Sequence, residues 1–222
     1  MPLYTADALV LRTYALGESD RIVVFLTRDR GKKRGVAKSA RRSWKRFGGA
    51  LEPLTEVRVA YYESPRRELV GLNYAEAVRS PMGMVGTEPA QGCDALTYSA
   101  YFAELLNEWA QDADADDRLY RLGASMLDGL AAGVPVRPLA RYFEYWVLRL
   151  QGVYPEGQDT LSEGALKFLA AARSMGPRDA GCLGADERVL KELESVHRLL
   201  IATHLEKTLK SDSVLRDLRR HA

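Results

Sequence analysis

The sequence predicts an α+β chain in two parts, a small N-terminal β-barrel followed by an all-α helical domain. Three observations carry this. Up to residue 80 the apolar residues fall in short Val-, Leu- and Ile-rich runs broken by turns; after Pro81 they recur every three or four positions; and the excess positive charge sits in the first part. With 222 residues, 46% hydrophobic and 28% charged, the chain can bury a core in one or two domains, which excludes collagen-like and disordered classes.

The strands come first. Ala8 to Arg12 and Asp20 to Thr27 flank the turn Gly17-Glu18-Ser19 and read as a hairpin. Gly31 ends the second run and opens Lys32 to Lys38. Val57, Val59 and Tyr61 then alternate with Arg58, Ala60 and Tyr62, a period of two that means one buried face. A fifth run, Glu68 to Ala77, follows the turn Ser64-Pro65-Arg66. Five short strands must hide their sheet edges, and a small closed barrel does so. The stretch Ser39 to Glu52 lies where an OB barrel has its connection between strands three and four, so the OB type ranks ahead of an SH3-like barrel.

After Pro81 the period is helical. Asp94 to Gln111 spaces Leu96, Ala100, Ala103, Leu106 and Ala110 as a core-facing stripe. An acidic break at Asp112 to Asp117 follows, where solvated carboxylates are expected. Arg118 to Ala132 is a helix closed by Gly133, and another starts at Pro138 and ends near Gly152. Val153 to Thr160 is a loop. Ser162 to Arg173 is a short helix with Ser162 as N-cap, and Ala185 to Lys207 a long one. The domains are therefore expected at 1–80 and 81–222. The aromatic stripe Tyr98, Tyr101, Tyr142, Tyr145 and Trp146 reads as core.

Charge gives the first functional signal. Residues 1–80 hold 16 Lys/Arg against 9 Asp/Glu, and within them Arg28, Arg30, Lys32, Lys33, Arg34, Lys38, Arg41, Arg42, Lys45 and Arg46 stand against Asp29 alone. A polyanion is the natural partner, with a solvated patch as the bland reading. Trp44 and Phe47 interrupt the run. Exposed rings beside cations let unpaired bases stack while phosphates are neutralised, although either ring is also open to core packing.

Catalytic signatures are missing. His197 and His204 are seven apart and His221 stands alone, with no HExxH, GxSxG, Walker-type loop or GxGxxG after a strand. Cys93 and Cys182 are too few for a disulfide scaffold and form no CxxC pair. No catalytic residue, metal or cofactor is expected. The longest apolar runs, such as Ile22 to Leu26, are far short of a membrane crossing, and acidic Asp7 does not fit a signal peptide, so a cytoplasmic, nucleoid-associated protein is expected.

Tyr4 to Arg12, the turn Leu16-Gly17-Glu18-Ser19-Asp20-Arg21-Ile22-Val23, Thr27 followed by Gly31-Lys32, the run Val36-Ala37-Lys38-Ser39-Ala40-Arg41-Arg42 and Leu51-Glu52-Pro53 resemble the bacterial RecO family of recombination mediators. The likeness is continuous over residues 1 to about 80. Beyond 81 it is one of layout, with a terminal helix near Ser213-Val214-Leu215-Arg216. It implies an OB fold that binds single- and double-stranded DNA, and a helical domain for protein contacts. It also implies strand annealing and, with RecR, loading of RecA onto DNA coated by single-strand binding protein, with no bond-breaking chemistry. The DNA-contacting stretch corresponds to Lys32, Lys33, Arg34, Lys38, Arg41 and Arg42, with Lys45 and Arg46 just beyond. Many members carry a four-cysteine zinc cluster, yet only Cys182 lies in the matching region, so the cluster is expected to be absent or replaced by packing. Ser39 stands where a glycine is common, so a glycine-only backbone is not expected there. The pocket for the acidic tail of single-strand binding protein maps to no particular residues, with Arg and Lys from Arg137 onward as candidates. Two other readings stay open: an interaction adaptor whose basic loop meets an acidic protein, and an RNA-binding barrel.

Overall fold

The computed structural model describes residues 1–84, 89–155, 161–207, 209–211 and 214–215, with the backbone alone at 89–92. Five strands, β1 Leu3–Leu16, β2 Asp20–Thr27, β3 Gly31–Ala37, β4 Glu56–Tyr62 and β5 Val70–Arg79, close into a barrel in the order β1-β2-β3-β5-β4. Only β3 and β5 run parallel, and they meet over three residue pairs, Gly35 with Val70 through Ala37 with Leu72. This is the OB-type order expected from the long connection between strands three and four. That connection carries a four-residue helix, α1 Trp44–Phe47.

β1 is longer than its apolar run because it serves two neighbours. Leu3 to Leu9 pairs with β4 and Ala8 to Leu16 with β2, and an irregularity between Val10 and Arg12 marks where the strand turns from one to the other. The barrel interior is filled by the period-two set Ala6, Ala8, Val10, Val23, Phe25, Val57, Val59 and Tyr61, closed at one end by Phe47, Ala50 and Leu51 from the α1 connection. Leu9, Val24 and Leu26, on the opposite face, are buried as well.

The chain divides into two compact units, Met1–Gly83 with Ser99–Ala124, and Met84–Tyr98 with Ser125–Ala222. The second half of α3 (Pro89–Trp109), the acidic break and the start of α4 (Asp117–Ala131) thus belong with the barrel. Gly123 lies so close that a Cβ there would meet Leu9 and Leu106 at 2.7 and 2.6 Å. A helix packed on the outside of β1 and β2 explains why Ile22 to Leu26 is apolar without alternation.

In the other unit α5 (Val136–Leu150) packs against α7 (Glu187–Leu205), α6 (Glu163–Ser174) and a 3₁₀ turn at Pro177–Cys182. The Ser162 side chain accepts from Ala165 N at 3.3 Å, the expected N-cap, and Asp186 accepts from Val189 N at 2.9 Å to cap α7. Tyr142 and Tyr145 are buried here, as the aromatic stripe predicted. α2 is the single turn Pro81–Met84. Residues 156–160 of the expected loop lie outside the described residues, as do Ser213 and Arg216 of the expected terminal helix, and His221; Val214 and Leu215 are helical.

Candidate nucleic-acid interface

The ten residues singled out by charge separate into two groups once folded. The first is held by carboxylates. Arg28 Nε lies 2.9 Å from Asp117 Oδ1, and this hydrogen bond, with the carboxylate's charge, pushes the guanidinium further up from its ordinary range. Arg30 pairs with Asp29 at 3.7 Å and stacks over the Tyr4 ring. Lys32 is largely buried, with Nζ donating to Asn107 O at 3.0 Å and 3.6 Å from Asp112. Lys33 pairs with Glu63 at 2.8 Å, and Arg34 with Asp112 at 3.3 Å and Glu68 at 3.7 Å.

The partners Asp112 and Asp117 come from the acidic break, whose carboxylates are solvent-exposed as expected but are also paired with these cations. Its backbone is laced to β3: Lys32 N donates to Gln111 O and Ala113 N to Lys32 O, at 3.2 and 3.1 Å. Gly31, at φ +68°, has no alternative here, since a Cβ would sit 2.4 Å from the Asp114 backbone. Asp116 meanwhile caps α4 through Leu119 N. An acidic segment thus neutralises one end of the basic region from within the same compact unit.

The second group lies on the connection between β3 and β4. Lys38, Arg41, Arg42 and Lys45 are exposed, and among the described residues none has a carboxylate within ion-pair distance. Arg41 Nη1 reaches only the Glu18 carbonyl, at 3.3 Å. Arg46 is half-buried and donates to three carbonyls, Asn73 O at 2.7 Å, Leu72 O at 3.2 Å and Lys38 O at 3.4 Å, while lying over the Phe47 ring. Carbonyls orient a guanidinium without cancelling its charge, so Arg46 both fastens α1 to β5 and keeps its field.

The two aromatic residues take opposite roles. Phe47 is 3% exposed and closes the barrel, whereas Trp44 is 81% exposed. Its indole rests on Gly48, where a Cβ would meet ring atoms at 2.8 Å, so one face is supported by backbone and the other is open. Trp44 lines a groove of about 450 Å³ with Arg21, Arg41, Arg42 and Glu52. Arg21, on β2, is a contributor that charge counting along the chain passes over, because only closure of the barrel brings it to the connection. The Ser39 expectation is corrected: its φ is +55°, in the left-handed region. Ser39 N donates to Asp20 Oδ1 at 2.7 Å, and the Ser39 carbonyl accepts from Arg42 N and Ser43 N, which together hold the turn that launches α1.

Cys93 and Cys182 are both exposed, and among the described residues no group of three or more His, Cys, Asp or Glu is placed to hold a metal ion. A four-cysteine zinc site does not fit this chain; the Pro177–Cys182 turn packs on α5 through buried Ala180 instead. No described helix is long and apolar enough to cross a membrane.

Asp117→Asn, which releases Arg28, is expected to raise affinity for a labelled single strand two- to fivefold at about 0.1 M salt, the worth of roughly one added phosphate contact. Fluorescence anisotropy checks it, and the gain should vanish as salt rises.

Two family models match in order along the chain, Recombination protein O N terminal over residues 1–81 and Recombination protein O C terminal over residues 91–165. The chain is 40% identical over 154 residues to DNA repair protein RecO of Koribacter versatilis, covering 69% of this chain and 61% of that protein. It is 36% identical over 188 residues to DNA repair protein RecO of Anaeromyxobacter sp. (strain K), covering 82% and 71%. With DNA repair protein RecO of Geobacter metallireducens it shares 36% over 146 residues, 66% of this chain and 57% of the relative. The chain thus spans under two thirds of the Koribacter and Geobacter proteins. Both halves of one protein, found in sequence on a closed OB-type barrel and a helical region, show that the chain belongs to the RecO family of DNA repair proteins.

Proposed function

We propose that this chain is a DNA repair and recombination mediator that binds single- and double-stranded DNA through the β3–β4 connection and anneals complementary strands. With RecR it then helps transfer DNA coated by single-strand binding protein to RecA, on the nucleoid. It does so by binding alone, with no bond broken. The observation that carries the reading is the group Lys38, Arg41, Arg42, Lys45 and Arg46, with no carboxylate within ion-pair distance among the described residues, around an indole with one open face. Annealing two like-charged strands needs a cationic surface that lowers their repulsion while leaving base edges free, and phosphate contacts plus stacking meet both needs without reading sequence.

The test is a salt titration of single-strand binding followed by anisotropy and Trp fluorescence. Three to five neutralised phosphates give a log–log slope of about −2 to −3.5. Binding should quench the emission of Trp44, the most exposed of the three tryptophans. Trp44→Ala should abolish that quench and weaken binding roughly 5- to 100-fold, the range for one stacked base. A flat salt response with no quench would favour the adaptor reading, and preference for RNA over DNA of equal length the RNA-binding one.

A further inference from the structure

We propose that the barrel holds a second single strand in a groove on the β5 side of α1, so that two strands lie on one barrel with α1 between them. The inference rests on the reading that the Trp44 side binds single-stranded DNA. The second groove, about 780 Å³, is lined by Val36, Lys38, Arg46, Tyr62, Arg67 and Asn73 among others. Its volume suits a small-ligand-sized unit of a polymer, such as a nucleotide or two. It opens where β3 and β5 pair over only three residues, and its lining takes Arg67, Glu68 and Leu69 from the connection between β4 and β5.

The charge of this groove is built like that of the first. Lys38 and Arg67 are exposed and, among the described residues, have no carboxylate within ion-pair distance, while Arg46 presents a guanidinium held by carbonyls alone. The single carboxylate in the lining, Glu68, leans to Arg34 at 3.7 Å. Three cations against one carboxylate match Arg21, Arg41 and Arg42 against Glu52 on the other side. Tyr62 offers a partly exposed ring where Trp44 offers an indole.

The two grooves share the connection itself. Arg41 leans toward the β1–β2 turn through the Glu18 and Ser19 carbonyls, and Arg46 toward β5 through Leu72 and Asn73. Two strands so placed are separated by one short helix, roughly 10–12 Å across with its side chains. Their phosphates would face opposite flanks of a single cationic ridge, and the bases not stacked on Trp44 or Tyr62 would stay free to pair. Holding both strands on one barrel converts their encounter from a bimolecular collision into a local search.

The test uses the full chain and an oligothymidylate of about six nucleotides, within the span one OB barrel covers. Wild type should bind two oligonucleotides per chain. Tyr62→Ala with Arg67→Ala, both exposed and both confined to the second groove, should leave one, with the Trp44 quench of the remaining strand intact, and should slow annealing of longer complementary strands at least tenfold. Arg41→Ala with Arg42→Ala should also leave one, without the quench. A wild-type stoichiometry of one, with both double variants weakening that same binding event, would show a single continuous path and overturn the proposal. Retention of two sites and full annealing in the Tyr62/Arg67 variant overturns it too. Absence of any binding by wild type removes the DNA reading beneath it, a result distinct from either.

Discussion

Replacing Arg41, Arg42 and Lys45 together by Ala is expected to weaken single-strand binding about 100-fold in 0.1 M salt. Each phosphate contact on a single strand contributes about −0.7 to the log–log salt slope, so at 0.1 M one contact is worth roughly fivefold, and three multiply to about a hundred. The slope should fall by about 2, and wild type and variant should converge as salt approaches 1 M. Arg46 is left in place because it fastens α1 to β5 through three carbonyls, and its removal would confuse a lost fold with a lost charge. The three chosen residues are exposed, so the circular dichroism and unfolding midpoint should be unchanged. The contrasting variant replaces Arg28, Arg30 and Arg34, which the sequence ranks equally. Their charges are already met by Asp117, Asp29, Asp112 and Glu68, and a loss of no more than about fivefold is expected. Equal losses in the two triple variants would place the contact surface around the whole β2–β3–α1 region and defeat the division made here.

That division was the part the sequence could not show. The strands, their order of appearance and the long third connection are local signals, set by period two and by turn residues, and they were legible. So were the helices and the Ser162 cap. Counting charge along the chain, however, treats Arg28 and Arg41 alike. Their difference depends on Asp112 and Asp117, some eighty residues away, which only the closed fold lays on β3 and its turn. One clue was present: Ile22 to Leu26 is apolar on both faces, which requires something packed outside the barrel, and the segment able to do this carries the acidic break with it. Phe47 and Trp44 were ambiguous for the same reason. Spacing within a four-residue helix puts both near the barrel rim, and only the rotation of α1, set by Arg46 and the left-handed Ser39, turns one inward and the other out.

The largest expected loss of stability lies in the helical unit, at a buried polar cluster. Arg141, Glu144 and His197 are all almost wholly buried, with Arg141 Nη2 donating to Glu144 Oε1 at 2.7 Å and Nη1 3.2 Å from Glu194. His197 Nδ1 is 3.0 Å from Glu144 Oε2, and Nε2 is 3.2 Å from the Tyr154 hydroxyl. Contact with Glu144 favours a charged imidazole. Burial opposes it more strongly, with Arg141 adding to the opposition, so His197 is held below its ordinary range and is neutral, with Nδ1–H donating to Glu144 and Nε2 accepting from Tyr154. A base depressed in the folded state contributes stability that is present above the unfolded value near 6.5 and is lost as pH falls below it, because the unfolded chain takes up the proton first. Acid should therefore weaken the wild type from about pH 6.5 downward, and His197→Gln should flatten that part of the profile. Arg141→Met removes the cation that balances Glu144 and is expected to cost about 3–5 kcal/mol at pH 7.5, a fall in Tm of roughly 10 °C or more. It also removes one of the influences that keep His197 neutral. Burial remains the larger influence, so the folded value rises only part of the way back, and stability should fall less steeply than in the wild type on lowering the pH from 7.5 to 6. Adding Glu144→Gln should restore much of the stability by removing the orphaned charge, so the double variant should lose less than the two single losses summed. Additive losses, or an Arg141→Met profile that falls toward acid as steeply as the wild type's, would mean that His197 and Arg141 are not coupled through Glu144.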